Sequence, residues 1–225
     1  MRRFMDLHVS PGPGRLNDFV SRAHELGYHG LGVVCAGCEE QGSPVELASR
    51  IDLAPRNQQE LMGQLNRHRR SYVVVSVTCT SKSVARQAAK DHRVDIVKFP
   101  QDLGGKTVWM DRQQAVLAGD SNCCYEVDVA DLLVGDPVRL ERILTMVRRE
   151  IENSQRNDVP VIVSSGATSV VEMRDPRSLA SLMDLLGVGE EEALDAVSVN
   201  PWRVVERNRD KLSRGYVSPG VKRIE

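Results

Sequence analysis

Short apolar runs, several of them dense in Val and Ile, alternate along the whole chain with longer amphipathic stretches. Strands that are apolar on both faces must be covered on both faces, which a parallel sheet wrapped by helices achieves. The runs that predict strands are 4–9, 31–35, 49–53, 72–78, 96–99, 124–127, 159–164 and 196–199. No Gly/Ser linker or internal repeat divides the 225 residues. The expectation is therefore one α/β domain over 1–225, a TIM-like (β/α) barrel with a short C-terminal tail from about residue 215. An open doubly wound sheet has the same periodicity and remains the alternative.

Helix punctuation is clearest in the second half. Asp136-Pro137 and Asp175-Pro176 each place a capping carboxylate before a proline at the first helical position, and Asn200-Pro201 reads the same way. Leu140, Ile143, Leu144, Val147 and Ile151 recur at helical spacing, as do Leu179, Leu182, Met183 and Leu186 before Gly187.

Aromatic residues are only 4% of the chain, so aliphatic side chains must carry the core. Lys plus Arg number 30 against 31 Asp plus Glu, a balance that points to no partner unless the charges are segregated. They are. Lys82, Arg86, Lys90 and Arg93 fall on one predicted helix face, and Arg203, Arg207, Lys211 and Arg214 on another. Two cationic ridges suit RNA phosphates, although a solvated helix face is the ordinary origin of one such stripe. No apolar stretch has the length of a signal peptide or a membrane span, so a cytoplasmic protein with free thiols is expected.

In a barrel the chemistry gathers where strands end. That rim would carry Asp6, His8, Cys35, Asp52, Thr78, Lys98, Glu126, Asp128, Ser164, Ser165 and Asn200. Asp6, His8, Asp52 and Glu126 are the candidates for a divalent metal, but metal clusters of this sort usually recruit several histidines and the chain has five. Hydrogen bonding across the rim is the plainer reading of Asp6 and His8. Cys35-Ala36-Gly37-Cys38 has the spacing of half a zinc site or of a redox pair; a zinc site would lack its matching half, because Cys123 and Cys124 are adjacent and begin their strand at the opposite end. All five cysteines are expected to be free. Gly105-Lys106-Thr107 lacks the glycine that a P-loop needs five residues earlier, where Pro100 stands. The loop 164–168, with Ser164, Ser165 and Gly166, is a candidate phosphate loop or a polar turn, and replacing Gly166 should hurt more than replacing Ser165 if Gly166 adopts a positive φ.

Longer motifs carry a resemblance. Val159-Pro160-Val161-Ile162-Val163-Ser164-Ser165-Gly166-Ala167 resembles the penultimate-strand motif of the thirty-kilodalton protein subunit of archaeal and eukaryal ribonuclease P. The likeness extends to Arg174-Asp175-Pro176-Arg177-Ser178-Leu179, Glu192-Ala193-Leu194-Asp195-Ala196-Val197-Ser198, Met5-Asp6-Leu7-His8-Val9 and Ser49-Arg50-Ile51-Asp52-Leu53. It implies a barrel related to the PHP metal-dependent phosphoesterases. It also implies a place beside a catalytic RNA, a small ferredoxin-like ribonuclease P protein and other ribonuclease P proteins, with precursor tRNA reached through the complex. Active PHP enzymes open their metal site with His-x-His; here His8 matches the first histidine but Ser10 stands where the second should be, so the resemblance implies a scaffold without catalytic residues of its own. Magnesium would then act through the RNA. The rival readings are an autonomous metallophosphoesterase and a protein-interaction barrel without RNA contact.

Overall fold

The computed structural model describes residues 2–38, 42–101, 108–133, 135–213, 216–218 and 221–222. Gly105-Lys106-Thr107 and Arg214 lie outside the described residues. Seven parallel strands pair in strict chain order: β1 (Met5–Val9), β2 (Gly30–Val34), β3 (Glu46–Leu53), β4 (Val74–Thr78), β5 (Ile96–Lys98), β6 (Cys124–Asp128) and β7 (Val161–Ser164). The ring nearly closes, because Val9 bridges to Ala167 and the Ser10 N–H donates to the Ala167 carbonyl at 2.8 Å. Outside it stand α1 (Leu16–Glu25), α2 (Gln58–His68), α3 (Lys82–Lys90), α4 (Arg112–Ser121), α5 (Pro137–Gln155), α6 (Pro176–Leu185) and α7 (Glu190–Ala196). The tail contributes a two-stranded antiparallel ribbon, β8 (Tyr216–Ser218) with β9 (Val221–Lys222).

The run 196–199 is not the eighth strand predicted for it. Ala196 ends α7 and Val199 opens α8 (Val199–Leu212). Four residues, three of them apolar, fit a helical turn as well as a strand, and periodicity cannot separate the two. The segment still fills the β1–β7 seam: the Met5 N–H donates to the Val197 carbonyl at 3.0 Å. Asn200 is likewise not the cap of the last helix. Ser198 holds that position, and the Asn200 amide donates to the Val161 carbonyl at 2.8 Å. Asp136 and Asp175 do cap α5 and α6, each followed by its proline.

Period-two alternation sorts the strand residues into two layers. Leu31, Val33, Val75, Val77, Val97, Tyr125, Val127, Val161 and Val163 meet the surrounding helices. Met5, Leu7, Ala48, Val74, Ile96, Cys124 and Ile162 fill the lower interior with Trp202, Val204 and Val205 of α8. That helix crosses the N-terminal ends of the strands and plugs the barrel. Its side chains hold strand-start carbonyls: Arg207 on Asn122 at 2.8 Å, Asn208 on Val73 at 2.9 Å and Arg209 on Leu47 at 2.9 Å.

The prediction of five free cysteines needs correcting. Cys35 and Cys38 are joined in a disulfide, because the turn through Gly37, at φ +65°, brings their Cα atoms to 6.0 Å. Cys79, Cys123 and Cys124 are free and buried.

One buried carboxyl outside the barrel affects stability directly. Glu150 of α5 accepts hydrogen bonds from Tyr125 Oη (2.6 Å), the Met110 N–H (3.2 Å) and Gln101 Nε2 (3.3 Å). Burial pushes its pKa up to about 7, against the lowering effect of those bonds. The folded chain therefore keeps a proton that the unfolded chain releases near pH 4.5. Stability should fall as pH rises from 4.5 through 7, by about 3 kcal/mol at most. Urea titrations of Glu150→Gln should lack that portion of the decline; an unchanged pH profile in this variant would refute the assignment.

Candidate functional site at the barrel mouth

Polar side chains converge at the C-terminal mouth of the barrel because of an irregularity in β1. Asp6 pairs with Leu31 and Val9 with Val33, so Leu7 and His8 together oppose the single residue Gly32. Such a bulge lets two successive side chains face inward. Leu7 joins the lower apolar layer, and His8 reaches the mouth. Its Nδ1 lies 2.9 Å from Asp128 Oδ2 of β6, and its Nε2 lies 3.3 Å from Asp52 Oδ2 of β3. Burial and the nearby Arg50 charge depress the imidazole pKa, but Asp128 and Asp52 outweigh them and hold it up at about 9.

Below this histidine sits a residue that reasoning from the sequence did not single out. Arg50 of β3 is fully buried, and its guanidinium spans the barrel interior. It donates to Glu126 through Nη1 (2.8 Å) and Nη2 (2.5 Å), to Asp52 Oδ1 through Nε (3.1 Å) and Nη2 (2.8 Å), and to the Leu7 carbonyl at 2.8 Å. Ser164 Oγ donates to Glu126 Oε1 at 2.7 Å. Lys98 of β5 pairs with Asp128. Burial disfavours the charge on Asp52, yet Arg50 and His8 hold its carboxyl well below the usual range; His8 and Lys98 do the same for Asp128. Three cations thus face three anions in a confined space.

Of the metal candidates, His8, Asp52 and Glu126 come together, joined by Asp128. One donor atom each from His8, Glu126 and Asp128 fall within 4.8 Å of one another. Asp6 stands apart. Its Oδ1 accepts from the Ser165 N–H (3.0 Å) and the His8 N–H (3.3 Å), Oδ2 has no protein partner, and burial raises its pKa to about 6. Asn200 is absent from the mouth because the strand predicted before it is helical. The signal for Arg50 was present: an arginine two residues before Asp52, in a strand long enough to be buried, shares its face and needs a partner.

The loop after β7 has its own backbone donors engaged. The Ser165 N–H serves Asp6, Gly166 serves the His8 carbonyl (3.1 Å), and Ala167 serves Ser165 Oγ (3.1 Å). Thr168 (2.7 Å) and Ser169 (3.0 Å) serve the Glu172 carboxylate, which takes the place an anion would. Gly166 adopts a positive φ of +66°, the condition under which other residues would be strained there.

The two basic ridges are only partly available. Arg86 is tied to Asp111 (2.7 Å) and Gln114 (2.7 Å), and Arg93 to Asp91 (2.7 Å) and Asn66 (2.6 Å). Arg207 pairs with the buried Asp95 at 2.9 Å, and Lys211 is half-buried. Lys82, Lys90 and Arg203 are on the surface, and no ion pair among the described residues holds them.

Comparison with known proteins fits this geometry. Residues 3–213 match the family described as RNase P subunit p30. Ribonuclease P protein component 3 of Methanosarcina barkeri is 28% identical, over 97% of this chain and 94% of that protein. The Halobacterium salinarum protein of the same name is 30% identical over 81% of this chain and 74% of its own length. A chain in the structure of archaeal Ribonuclease P with mature tRNA superposes with a TM-score of 0.81, at 20% identity and 98% coverage of both chains. A more distant barrel, that of A. niger ochratoxinase, gives a TM-score of 0.60 at 10% identity, covering 91% of this chain and 71% of that one. A match over nearly the whole length, with a barrel of the same form, places this chain in the RNase P subunit p30 family.

Proposed function

We propose that this chain is a protein subunit of a ribonuclease P ribonucleoprotein in the cytoplasm, where it supports a catalytic RNA that removes the 5′ leader of precursor tRNA. Family membership supports the assembly. One observation supports a scaffold rather than a catalytic role: the charged groups that converge at the mouth are engaged by groups of opposite charge. Water activation by a divalent ion needs ligand atoms with free lone pairs and an open position. Here both His8 nitrogens face carboxylates, Glu126 is forked by Arg50, and Asp128 is held by Lys98. As arranged, these residues do not fit a resident divalent ion. Magnesium is left to the RNA.

RNA contact then falls to cations that remain available, with Lys82, Lys90 and Arg203 ahead of the ion-paired Arg86, Arg93 and Arg207. Exposed Leu133, Val138 and Val171 give a small ferredoxin-like protein, or other proteins of the complex, apolar surface to cover. No described helix is long and apolar enough to cross a membrane.

The purified chain should not cleave precursor tRNA with magnesium or manganese alone, and should raise cleavage when combined with its RNA and partner proteins. Replacing Lys90 and Arg203 together by Ala should lower the slope of log affinity against log salt by about 0.7–0.9 for each phosphate that the chain no longer neutralises. Turnover by the isolated chain that vanishes in His8→Ala would overturn the scaffold reading. An unchanged salt slope would remove those two residues from the RNA surface.

A further inference from the structure

Three carboxylates and an imidazole meet inside the mouth, on β1, β3 and β6. Converging anions of this kind repel one another, and in water-poor surroundings they persist only beside positive charge. A divalent cation is the usual source of it. In this barrel two side chains supply the same two charges from within. Arg50 lies between Glu126 and Asp52, binding both oxygens of the first and one of the second, and Lys98 lies on Asp128. The guanidinium is fully buried and held in place by a further partner, the Leu7 carbonyl at 2.8 Å. The lower interior is packed with Met5, Leu7, Ile96, Ile162 and Trp202, and the ion pairs begin above it, where Arg50 is the largest fully buried side chain. Buried ion pairs stabilise a fold less than apolar packing of the same volume. Their retention calls for a reason other than stability.

We propose that Arg50 and Lys98 are built-in substitutes for one divalent cation, so that the mouth is a metal-type ligand cage closed by its own side chains and reopened when those two are removed. The ligands uncovered would be His8, Glu126 and Asp128, whose donor atoms already lie within 4.8 Å of one another, with Asp52 beside His8. Carboxylate oxygens with one imidazole suit a hard or borderline ion such as manganese. The inference rests on the scaffold reading of the mouth given above.

The test compares the native chain with Lys98→Met and with Arg50→Met/Lys98→Met, using manganese alone as the probe. Binding is read from the loss of the free manganese signal in electron paramagnetic resonance, and folding from thermal melts with manganese and with chelator. The native chain should leave manganese free. The double variant should bind about one equivalent, at least about tenfold more tightly than the native chain, and should melt several degrees higher with manganese than with chelator. Adding Asp128→Asn should abolish both effects, which ties them to this cage. A double variant that folds but ignores manganese overturns the proposal. So does one that manganese cannot refold while the folded Lys98→Met variant shows no gain in affinity. Manganese bound at His8 in the native chain overturns it as well, since the cage would then not be closed. Phosphodiester cleavage by the native chain would defeat the scaffold reading itself; a manganese-silent double variant beside an inactive native chain defeats only the present inference.

Discussion

In the presence of chelator, Arg50→Met should cost about 3–5 kcal/mol of folding free energy, a large part of what an ordinary domain has. Its origin is the group left behind. Glu126 is 3% exposed, and without the guanidinium its carboxylate keeps only the Ser164 hydroxyl among the bonds described above. Asp52 loses its main counter-charge at the same time, though its side chain is 26% exposed and water can reach it. Loss of the Leu7 carbonyl's side-chain partner adds a smaller cost, of about 1 kcal/mol. For a chain of this length the melting temperature should fall on the order of 10 °C. Adding Glu126→Gln removes the stranded charge, so the double variant should recover much of the loss, and the coupling energy should be on the order of 2 kcal/mol. Additive effects of the two substitutions, or a single variant within about 1 kcal/mol of the native chain, would mean that the buried pair is not what holds the mouth together.

The barrel was legible in the sequence because its strands are buried on both faces. Val73 to Val77 and Val159 to Val163 announce themselves as parallel strands, and the Asp-Pro caps fix where α5 and α6 begin. The run 196–199 misled for a local reason. Four residues carry less than two helical turns, so Ala196-Val197-Ser198-Val199 has no period of its own, and the chain folds there into the junction of α7 and α8. Rim position was legible for His8, Asp52, Lys98, Glu126, Asp128 and Ser164, since strand ends in a barrel point to one mouth. Partnership was not. Nothing in the order of residues says that Lys98 reaches Asp128 or that Arg50 crosses the interior to Glu126, because those pairings depend on register between strands separated by dozens of residues. The ridges failed differently. Helical spacing put Arg86 and Arg207 on the faces that were expected, but Asp111 and Asp95, distant in sequence, claim both guanidinium groups.

Gly32→Ala should be at least as damaging as the loss of Arg50, although it adds a single methyl. A Cβ at this position would stand 2.1 Å from the Leu7 carbonyl oxygen and 2.7 Å from its carbon, so the obstacle is backbone and cannot swing aside. Ordinary van der Waals spacing needs roughly 1 Å or more of further separation, and β1 and β2 are paired on either side of the clash. The same carbonyl accepts from Arg50, and the same bulge turns His8 towards Asp128. Displacing β1 therefore costs twice, once in strand pairing and once in the ion pairs above it. Overpacking alone is worth about 1–3 kcal/mol where side chains can yield, and a main-chain clash in a nearly closed ring belongs at or beyond the top of that range. Two readouts separate local from global damage. The melting temperature should fall by on the order of 10 °C or more. In any folded remainder the His8 imidazole should titrate well below its native value of about 9, because it has lost the carboxylates that hold its proton. A Gly32→Ala protein with native stability and an unmoved His8 titration would show that β1 has room to yield, and that glycine is not what admits the bulge on which the mouth is built.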